Sequence, residues 1–476
     1  MRYSLACAFL SLALAIGIPA MAASVQIAAD RMAVVDGNRT FVLGLYECPG
    51  EDAVLDAVAA AGFNLVHVSE SVEALDRLSQ RGLFGWINTG GRIDLSAERP
   101  VREAGLTEMV NRFGAHPALF VWEVPDEALW NCWYGATQWR RGEEPRQLTD
   151  RIAALEDAAL AAELKKQLAE SGRLFERGDA AGSERLADAI WRRLGEDPPN
   201  PGLNLSNAPE RAATMCEGMV QGYQFLKRID PNHPVWMNHA PRNQIAQLAA
   251  FNQGADAVGC DIYPAPAYRG GHSDLADRSL ASVGAYTARM QDAAPGKPVW
   301  MVLQGFGWAD LEDNPSDEAR EQGRRPTFSE SRFMAYDAIV CGARGILYWG
   351  TYRIEKDSQL WTDLLKLIRE LADLQPVLAA PDAALNLTMD YAETWGSLDR
   401  GVRVLAKNVD GAVWLLVVNE FHDPLNYTLG GLDAQEGMRY VDEVAERDAT
   451  VTNGRLTLGI RSHGIQVLKP AEAAHP

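Results

Sequence analysis

Eight short apolar runs alternate with helical patterns along most of this chain, and this alternation limits the fold more than any other feature. The runs are residues 41–46, 64–68, 83–88, 118–124, 235–238, 257–263, 299–304 and 345–349. Helix-like segments lie between them, at residues 51–61, 72–81, 106–113, 212–229, 279–292 and 329–341. Near-continuous apolar runs fit strands that are buried on both faces of a parallel sheet. The repeated alternation predicts an α/β fold, a (β/α)₈ or TIM barrel, over residues 30–378.

A doubly wound open sheet is the competing fold for this alternation. Such a sheet normally carries a glycine-rich phosphate-binding turn after its first strand. Here the first run ends Leu45-Tyr46-Glu47-Cys48-Pro49, and no G-x-G-x-x-G follows it. The sequence therefore favours the barrel.

Two regions depart from the barrel pattern. Residues 137–209 are rich in Arg, Glu, Ala and Leu with helical periodicity, which predicts a helical insertion after strand four. The insertion would either wall the pocket at the catalytic face or form a solvated hairpin.

Residues 381–470 change to short strands separated by turn residues and predict a C-terminal β-sandwich. The predicted strands are residues 402–406, 412–418, 425–429, 437–441, 455–460 and 464–468.

The first 23 residues are expected to be a targeting signal. Arg2 precedes an apolar stretch over residues 5–18, Pro19 breaks it, and Ala20-Met21-Ala22 matches a signal-peptidase site. An uncleaved membrane anchor is the alternative, but the apolar stretch is short for a span. We therefore expect cleavage, a secreted or periplasmic protein, and no membrane span in the mature chain.

The charge and the cysteine content limit the kinds of partner and bound group that we expect. The chain has 45 Lys and Arg against 64 Asp and Glu, a net charge of −19, and this balance argues against a nucleic-acid binder. The five cysteines after the signal are scattered without a C-x-x-C pair, and the eight histidines include no H-E-x-x-H motif. The sequence predicts no metal and no cofactor, and it leaves the oligomeric state open.

The fourth run carries the clearest chemical motif, Trp122-Glu123-Val124-Pro125-Asp126-Glu127. It resembles the W-x-x-x-N-E end of the fourth strand in the large clan of (β/α)₈ glycoside hydrolases. The resemblance implies that Glu127 is the general acid, with Asp126 where the family usually has Asn. Segments 44–46, 61–66, 261–264, 297–300 and 342–349 are similar to other strands of the clan, so the likeness covers roughly residues 30–375. It also implies a carbohydrate substrate, with Trp349 flooring the sugar site.

One departure from the family pattern concerns the nucleophile. The family's seventh strand ends in a catalytic Glu, and the matching residue here is Gln304. A neutral amide cannot form the glycosyl-enzyme ester of the retaining mechanism. Asp126 and Gln304 are instead expected to hold the sugar near C2 and the attacking water.

Three functions remain open at this point. The first is an inverting hydrolase, in which Glu127 is the acid and Asp261, with Glu47 in reserve, activates water. The second is a substrate-assisted hydrolase of 2-acetamido sugars that uses Asp126 and Glu127. In that function the substrate's own acetamido group attacks the anomeric carbon. The third is a barrel without catalysis that binds glycans or serves as a scaffold.

Several further side chains at or beyond strand ends are candidates for sugar contacts, because sugars present flat C–H faces that pack on aromatic rings. They are Tyr46, Tyr263, Trp308, Trp349, Tyr352 and, through a hydrogen bond, His239. Each could equally be a structural side chain, and Trp86 is expected to be ordinary packing. Strand alternation turns Glu123 inward, where a buried carboxylate must be paired.

Overall fold

The computed structural model describes residues 23–266, 277–393, 400–444 and 447–471. It opens with an antiparallel sheet of β1 (Val25–Ile27), β2 (Ala33–Val35) and β3 (Asn38–Thr40). Asp36 and Gly37 both have positive φ between β2 and β3, as a type I′ hairpin turn requires. Val25 and Val35 belong to the same buried cluster as the barrel interior, so this sheet packs on the barrel. The expected signal peptide lies outside the described residues, apart from Ala23.

Eight parallel strands close into a barrel, which confirms the predicted fold class. They are β4 (Val42–Leu45), β5 (Leu65–His67), β6 (Phe84–Asn88), β7 (Leu119–Glu123), β8 (Val235–His239), β9 (Ala257–Asp261), β10 (Val299–Gln304) and β11 (Gly345–Trp349). Each strand pairs with its neighbour in sequence, and β11 pairs with β4 to complete the ring. The carboxyl ends of all eight strands therefore meet at one end of the barrel, called the mouth.

Fourteen α-helices are seen in the described residues. They are α1 (Asp52–Ala61), α2 (Val72–Ser79), α3 (Arg99–Phe113), α4 (Ala128–Gln138), α5 (Glu144–Ala153), α6 (Ala158–Glu176), α7 (Ala180–Arg193), α8 (Ala208–Ile229), α9 (Ile245–Phe251), α10 (Ser282–Ala293), α11 (Asp317–Gln322), α12 (Phe328–Val340), α13 (Gln359–Asp373) and α14 (Gln375–Leu378). No helix in these residues has the length and apolar character needed to cross a membrane.

The region between β7 and β8 is helical, as the sequence predicts, and it has a core of its own. Trp139, Leu148, Ile190 and Trp191 pack together with their neighbours in a separate buried cluster. Arg140 pairs with Glu144 of the same helical stretch at 2.7 Å and with Asp188 of α7 at 3.0 Å, and the second ion pair ties two of these helices together. The insertion is therefore a packed unit rather than a loosely solvated hairpin.

Side-chain alternation along the strands divides the barrel into two cores. One set of residues, including Leu43, Val66 and Cys260, faces the surrounding helices. The other set, including Val42 and Trp236, faces the barrel axis. Continuing the inward set to the mouth gives Tyr46, His67, Asn88, Glu123, Asn238, Asp261, Gln304 and Trp349.

The C-terminal region forms a sandwich of two antiparallel sheets, as predicted. One sheet has the order β12 (Thr388–Tyr391), β15 (Leu425–Gly430), β18 (Arg455–Ile460). The other has the order β13 (Val402–Val409), β14 (Ala412–Asn419), β19 (Ile465–Pro470), β16 (Arg439–Asp442), β17 (Arg447–Thr450). Edge strands β12 and β17 were not predicted, because each has only four residues and carries polar side chains. Leu416 and Val418 of the sandwich pack into the same cluster as helix α12.

Candidate active site

The strand-to-helix turn that carries Glu127 has an unusual backbone. Strand β7 ends at Glu123 and helix α4 begins at Ala128, so the chain passes from strand to helix within four residues. Glu127 takes φ 50° and ψ 33° at this turn, the left-handed region that favours glycine. Its backbone N–H donates to the Asn238 carbonyl at 3.3 Å. A non-glycine residue in this conformation costs about 1–2 kcal/mol, and such strain is concentrated at functional sites.

One side-chain amide joins two carboxylates at the mouth. The buried Asn238 Nδ2 lies 2.9 Å from Asp126 Oδ1 and 2.5 Å from Asp261 Oδ1. The two carboxylate oxygens are therefore no more than about 5.4 Å apart. Asp126 follows the fourth barrel strand and Asp261 ends the sixth, so the amide on the intervening fifth strand fixes both acids. We call Asp126, Glu127 and Asp261 the carboxyl cluster.

The carboxyl cluster has perturbed proton affinities. Burial raises the pKa of Asp261 well above its ordinary value, and the charges of Asp126 and Glu127 raise it further. Burial likewise raises the pKa of Asp126. The Asn238 amide opposes both shifts because it hydrogen-bonds to the ionised forms.

Glu123 lies beneath the cluster with a complete set of donors. Its Oε2 accepts from Trp86 Nε1 at 3.1 Å and from Asn88 Nδ2 at 2.9 Å, and its Oε1 accepts from the Tyr46 hydroxyl at 3.4 Å. Burial, followed by the charge of Asp126, raises the pKa of Glu123 to about 8. Glu123 is therefore largely protonated at neutral pH and supports the floor of the site.

An aromatic wall lines the mouth at the ends of the sixth, seventh and eighth barrel strands. Tyr263 stacks on Trp349 with ring centroids 5.6 Å apart and an interplanar angle of 22°. The edge of Phe306 meets Trp349 at 5.2 Å, and Trp308 packs behind Phe306 at 5.3 Å. Tyr352, which is 49% exposed, extends the wall from Trp349 toward solvent. Trp308 is buried, so it supports the wall from behind.

The structure places Gln304 in a backbone contact rather than against the pocket. Its Oε1 accepts from Ala265 N at 3.0 Å, and its Nε2 donates to the carbonyls of Ala265 and Phe306. The side chain is fully buried. This corrects the expectation that Gln304 holds the sugar and the attacking water, because both amide hydrogens are already used by main-chain oxygens.

His239 also departs from its expected role. Asn238 faces the barrel axis, so alternation turns the next residue of β8 outward. The buried His239 Nε2 lies 2.8 Å from Asn252 Oδ1, and burial lowers the pKa of the imidazole to about 4. A contact between His239 and a sugar is therefore excluded by strand geometry.

Glu47, the reserve base, is engaged by a lysine. Lys356 Nζ lies 2.5 Å from Glu47 Oε1 and 2.8 Å from the Thr351 carbonyl. This pair links the loops that follow the first and eighth barrel strands. The ion pair gives Glu47 a role in holding these loops, and Asp261 remains the better candidate base.

The sequence predictions omitted Asn238 and Asn88 and assigned Trp86 to ordinary packing, although all three side chains contact the acids of the site. Asn238 joins two acids, and Asn88 and Trp86 hold Glu123. All three belong to the inward set of their strands. The signal that could have found them is alternation counted back from Glu123 and Asp261, rather than the chemical type of the residue.

One group of described residues has the spacing of a metal site, and it lies elsewhere. Asp337, Cys341 and Glu420 bring potential ligand atoms within 4.8 Å of one another where α12 meets the sandwich. Arg403 contacts Glu420 at 3.0 Å, and the backbone of Gly284 donates to Asp337 at 2.7 Å, so the group has protein partners. The five cysteines in the described part of the chain are free thiols.

Comparison with known proteins places this architecture among glycoside hydrolase folds. A glycoside hydrolase family 5 structure from Bacteroides vulgatus matches with TM-score 0.52 and 13% identity, over 95% of this chain and 94% of that chain. A beta-galactosidase from Bacillus circulans sp. alkalophilus matches with TM-score 0.50 and 12% identity, over 91% and 99%. No family model matches the sequence, and the search of curated proteins found no match.

These similarities extend over the barrel and the C-terminal region together. The chain therefore has a (β/α)₈ barrel with a C-terminal β-sandwich, an architecture similar to that of these two structures, which confirms the fold that the resemblance implied. At such low identity the likeness establishes the fold, and the chemistry has to be argued from this chain's own residues.

Proposed function

We propose that this protein is a glycoside hydrolase that cleaves O-glycosidic bonds of an oligosaccharide or polysaccharide. The observation that carries the proposal is the carboxyl cluster at the mouth, in which Asn238 holds Asp126 and Asp261, and Glu127, the residue after Asp126, has a strained backbone conformation. The aromatic wall of Tyr263 and Trp349 supplies flat apolar surface next to these acids. Acids beside aromatic rings match what a sugar acetal needs, a proton for its leaving oxygen and a surface for its C–H faces.

The leading mechanism is inverting acid–base hydrolysis. Glu127 donates its proton to the glycosidic oxygen as the bond from that oxygen to the anomeric carbon breaks. Asp261 takes a proton from water as the water oxygen bonds to the anomeric carbon from the opposite face. The products are one free sugar with inverted configuration, one released alcohol, and two carboxyl groups in exchanged protonation states. Solvent exchange then restores them.

The neighbours of Asp261 fit its role as base. A base must be ionised when water attacks, and burial makes ionisation of Asp261 harder than usual. The Asn238 amide counteracts this by hydrogen-bonding to the charged form. Asp126 shares the amide and adds negative charge, which favours the oxocarbenium-like transition state.

Double displacement through the seventh strand has no support in this chain. Its usual nucleophile position is Gln304, whose amide is bonded to backbone atoms. Gln304 therefore supplies neither a carboxylate nor a free polar group to the anomeric carbon. The reacting groups in this proposal come from strands β7 and β9.

A substrate-assisted reaction on 2-acetamido sugars is the second candidate, and one observation favours it. Adjacent residues on an ideal strand point in opposite directions. After β7, however, the chain turns through the left-handed Glu127, and the Asp126 carboxylate reaches Asn238 inside the barrel. Asp126 could then orient an acetamido group while Glu127 protonates the leaving oxygen.

The test is a screen of oligosaccharides and polysaccharides with product analysis, run with wild type and Glu127→Gln. The proposal is supported if wild type hydrolyses a glycan and Glu127→Gln hydrolyses it more slowly by orders of magnitude. Proton NMR of the first-formed anomer separates the candidates. An inverted anomer supports Asp261 and water, whereas a retained anomer restricted to 2-acetamido substrates supports substrate assistance. Glycan binding without product at any enzyme loading contradicts hydrolysis.

We also propose that the mature protein is secreted or periplasmic. The support is the sequence of residues 1–23, with its apolar stretch and small residues before the expected cleavage point. Amino-terminal sequencing of the protein expressed in a secreting host should begin at Ala23 or Ser24. An intact start at Met1 in the membrane fraction contradicts this proposal.

A further inference from the structure

Helix α4, which begins directly after Glu127, carries two stacked aromatic rings. Trp130 and Tyr134 are stacked, with centroids 5.9 Å apart and an interplanar angle of 30°. The other face of α4 carries Leu129, Cys132 and Ala136, which are buried against neighbouring elements. Helical spacing sets Trp130 and Tyr134 four residues apart, so these two side chains share one face of α4.

The exposure of Tyr134 is uncommon in this protein. In the part of the chain that the structure describes, the exposed large apolar side chains are Val101, Tyr134, Ile245 and Tyr352. The two aromatic members of this set both follow strands at the mouth. Tyr134 lies beyond β7 and Tyr352 lies beyond β11. Both rings are close to half exposed, at 45% and 49%.

The two exposed tyrosines follow strands that lie opposite each other in the barrel ring. In the closed strand order, β7 and β11 are separated by β4, β5 and β6 in one direction and by β8, β9 and β10 in the other. From Glu127 to Tyr134, helix α4 advances about 10 Å. Exposed aromatic side chains therefore follow both the fourth and the eighth barrel strands, at opposite points of the ring.

We propose that Trp130 and Tyr134 form a platform that binds a sugar unit of a glycan chain extending beyond the cleaved bond. The proposal rests on the proposed function and specifies its substrate, a chain long enough to cross the mouth from the Trp349 side to α4. Asn131 supports the platform, because its Nδ2 donates to the Asp126 carbonyl at 3.2 Å and ties α4 to the carboxyl cluster.

The ring surfaces fit a sugar better than a structural role in α4. A structural ring would be expected to bury its faces in a core, as Trp139 and Trp191 do in the adjacent helices. Trp130 and Tyr134 instead lie on the exposed side of α4, where they keep ring surface in contact with solvent. Large aromatic side chains placed this way are typical of binding surfaces.

The experiment compares glycans of increasing length. The ligands are cello-, xylo-, manno- and galacto-oligosaccharides of two to six sugars, together with chitin oligosaccharides of the same lengths. Binding is measured by calorimetry on Glu127→Gln, and kcat and KM are measured on the otherwise wild-type enzyme. The platform variants are Trp130→Ala and Tyr134→Ala, and Tyr134→Phe keeps the ring. Phe175→Ala is the matched control, since this ring lies on α6 of the same insertion beneath Arg141.

The platform is supported if Trp130→Ala and Tyr134→Ala lose at least tenfold in affinity and in kcat/KM for the longest bound oligosaccharide. The same variants should lose less than twofold for the disaccharide. Tyr134→Phe and Phe175→Ala should then behave like wild type. Equal losses at all lengths, or none, overturn the platform and leave hydrolysis standing. Length-dependent binding through both rings without hydrolysis supports the platform and overturns the proposed hydrolysis. Absence of binding to every glycan overturns both.

Discussion

The side-chain amide of Asn238 lies 2.5 Å from the carboxylate of Asp261, and the same nitrogen holds Asp126 at 2.9 Å. This relationship sets how easily the proposed base loses its proton. Burial makes both acids reluctant to ionise, and the amide is the opposing influence that they share. Asn238 is therefore a positioning residue that acts through the carboxyl cluster.

Replacing Asn238 by Ala should move the pH profile of the enzyme. Without the amide, the pKa values of Asp126 and Asp261 rise further, because the ionised forms lose a donor. Since Asp261 has to be ionised, the acidic limb of kcat/KM should shift to higher pH by about one unit. Asn88→Ala is the control, because Asn88 donates to Glu123 instead. An unmoved limb in Asn238→Ala contradicts the role of the amide.

The left-handed backbone at Glu127 should make the fold less stable with any residue other than glycine at this position. Glu127→Gly should be more stable than Glu127→Ala by about 1 kcal/mol, because only glycine occupies φ 50° without strain. Both variants should be inactive. Urea unfolding at neutral pH measures the difference. The control variants are Asn131→Gly and Asn131→Ala, inside α4. Here the Ala variant should be the more stable one, because glycine costs about 1 kcal/mol in a helix interior. Equal stability of the two Glu127 variants would show that the turn is unstrained.

Glu123 should make the fold less stable as the pH rises. Its pKa is about 8 in the folded protein, and an ordinary glutamate titrates near 4.5. The folded state therefore holds a proton that the unfolded state has released, and the free energy of unfolding falls between these values by about 1.4 kcal/mol per pH unit. Glu123→Gln, which keeps a neutral acceptor for Trp86 and Asn88, should abolish this slope.

The measurement for Glu123 is thermal or urea unfolding of both proteins from pH 4 to pH 9. Glu123→Gln and wild type should be similar near pH 4, and the variant should be clearly more stable at pH 8. The exposed Glu108→Gln serves as the control and should follow wild type throughout. Parallel stability curves for Glu123→Gln and wild type would contradict a protonated Glu123.

Restoring the family's usual carboxylate at position 304 should fail to create a retaining enzyme. In Gln304→Glu the new charge would face the carbonyl oxygens of Ala265 and Phe306, in a fully buried position. We expect a loss of about 3 kcal/mol or more in stability at pH 8, with a smaller loss at pH 4, where the acid can be protonated. NMR of the products should show no gain of retained anomer. A stable and more active variant would contradict the structural role of Gln304.

The barrel was predictable because its eight buried strands are apolar runs with helices between them, and each predicted run contains or overlaps an observed strand. Three other features were not predictable from the sequence: the short hairpin at residues 33–40 and the edge strands β12 and β17. Strand pairing and turn geometry, rather than hydrophobicity, define them. The Asp36-Gly37 turn was the available signal for the hairpin.

The site was predictable only where a motif or a strand end marked it. Glu127, Asp126 and Asp261 were found in this way, and the structure brings them to one place. Gln304 was assigned because it matches the family's nucleophile position, and His239 because it follows a strand. The two assignments failed for different reasons, because His239 faces outward by alternation and Gln304 is inward but used by the backbone. Asn238 was missed because an amide beside a histidine carries no motif, although the alternation of β8 points it inward.

The most direct test of the account is the turnover of Glu127→Gln on the glycan that wild type cleaves, with unfolding measured on the same sample. Loss of the proton donor should reduce kcat by about 10² to 10⁴-fold, while the melting temperature stays that of wild type. A variant that hydrolyses the glycan at close to the wild-type rate would contradict the assignment of the acid, and with it the proposed reaction.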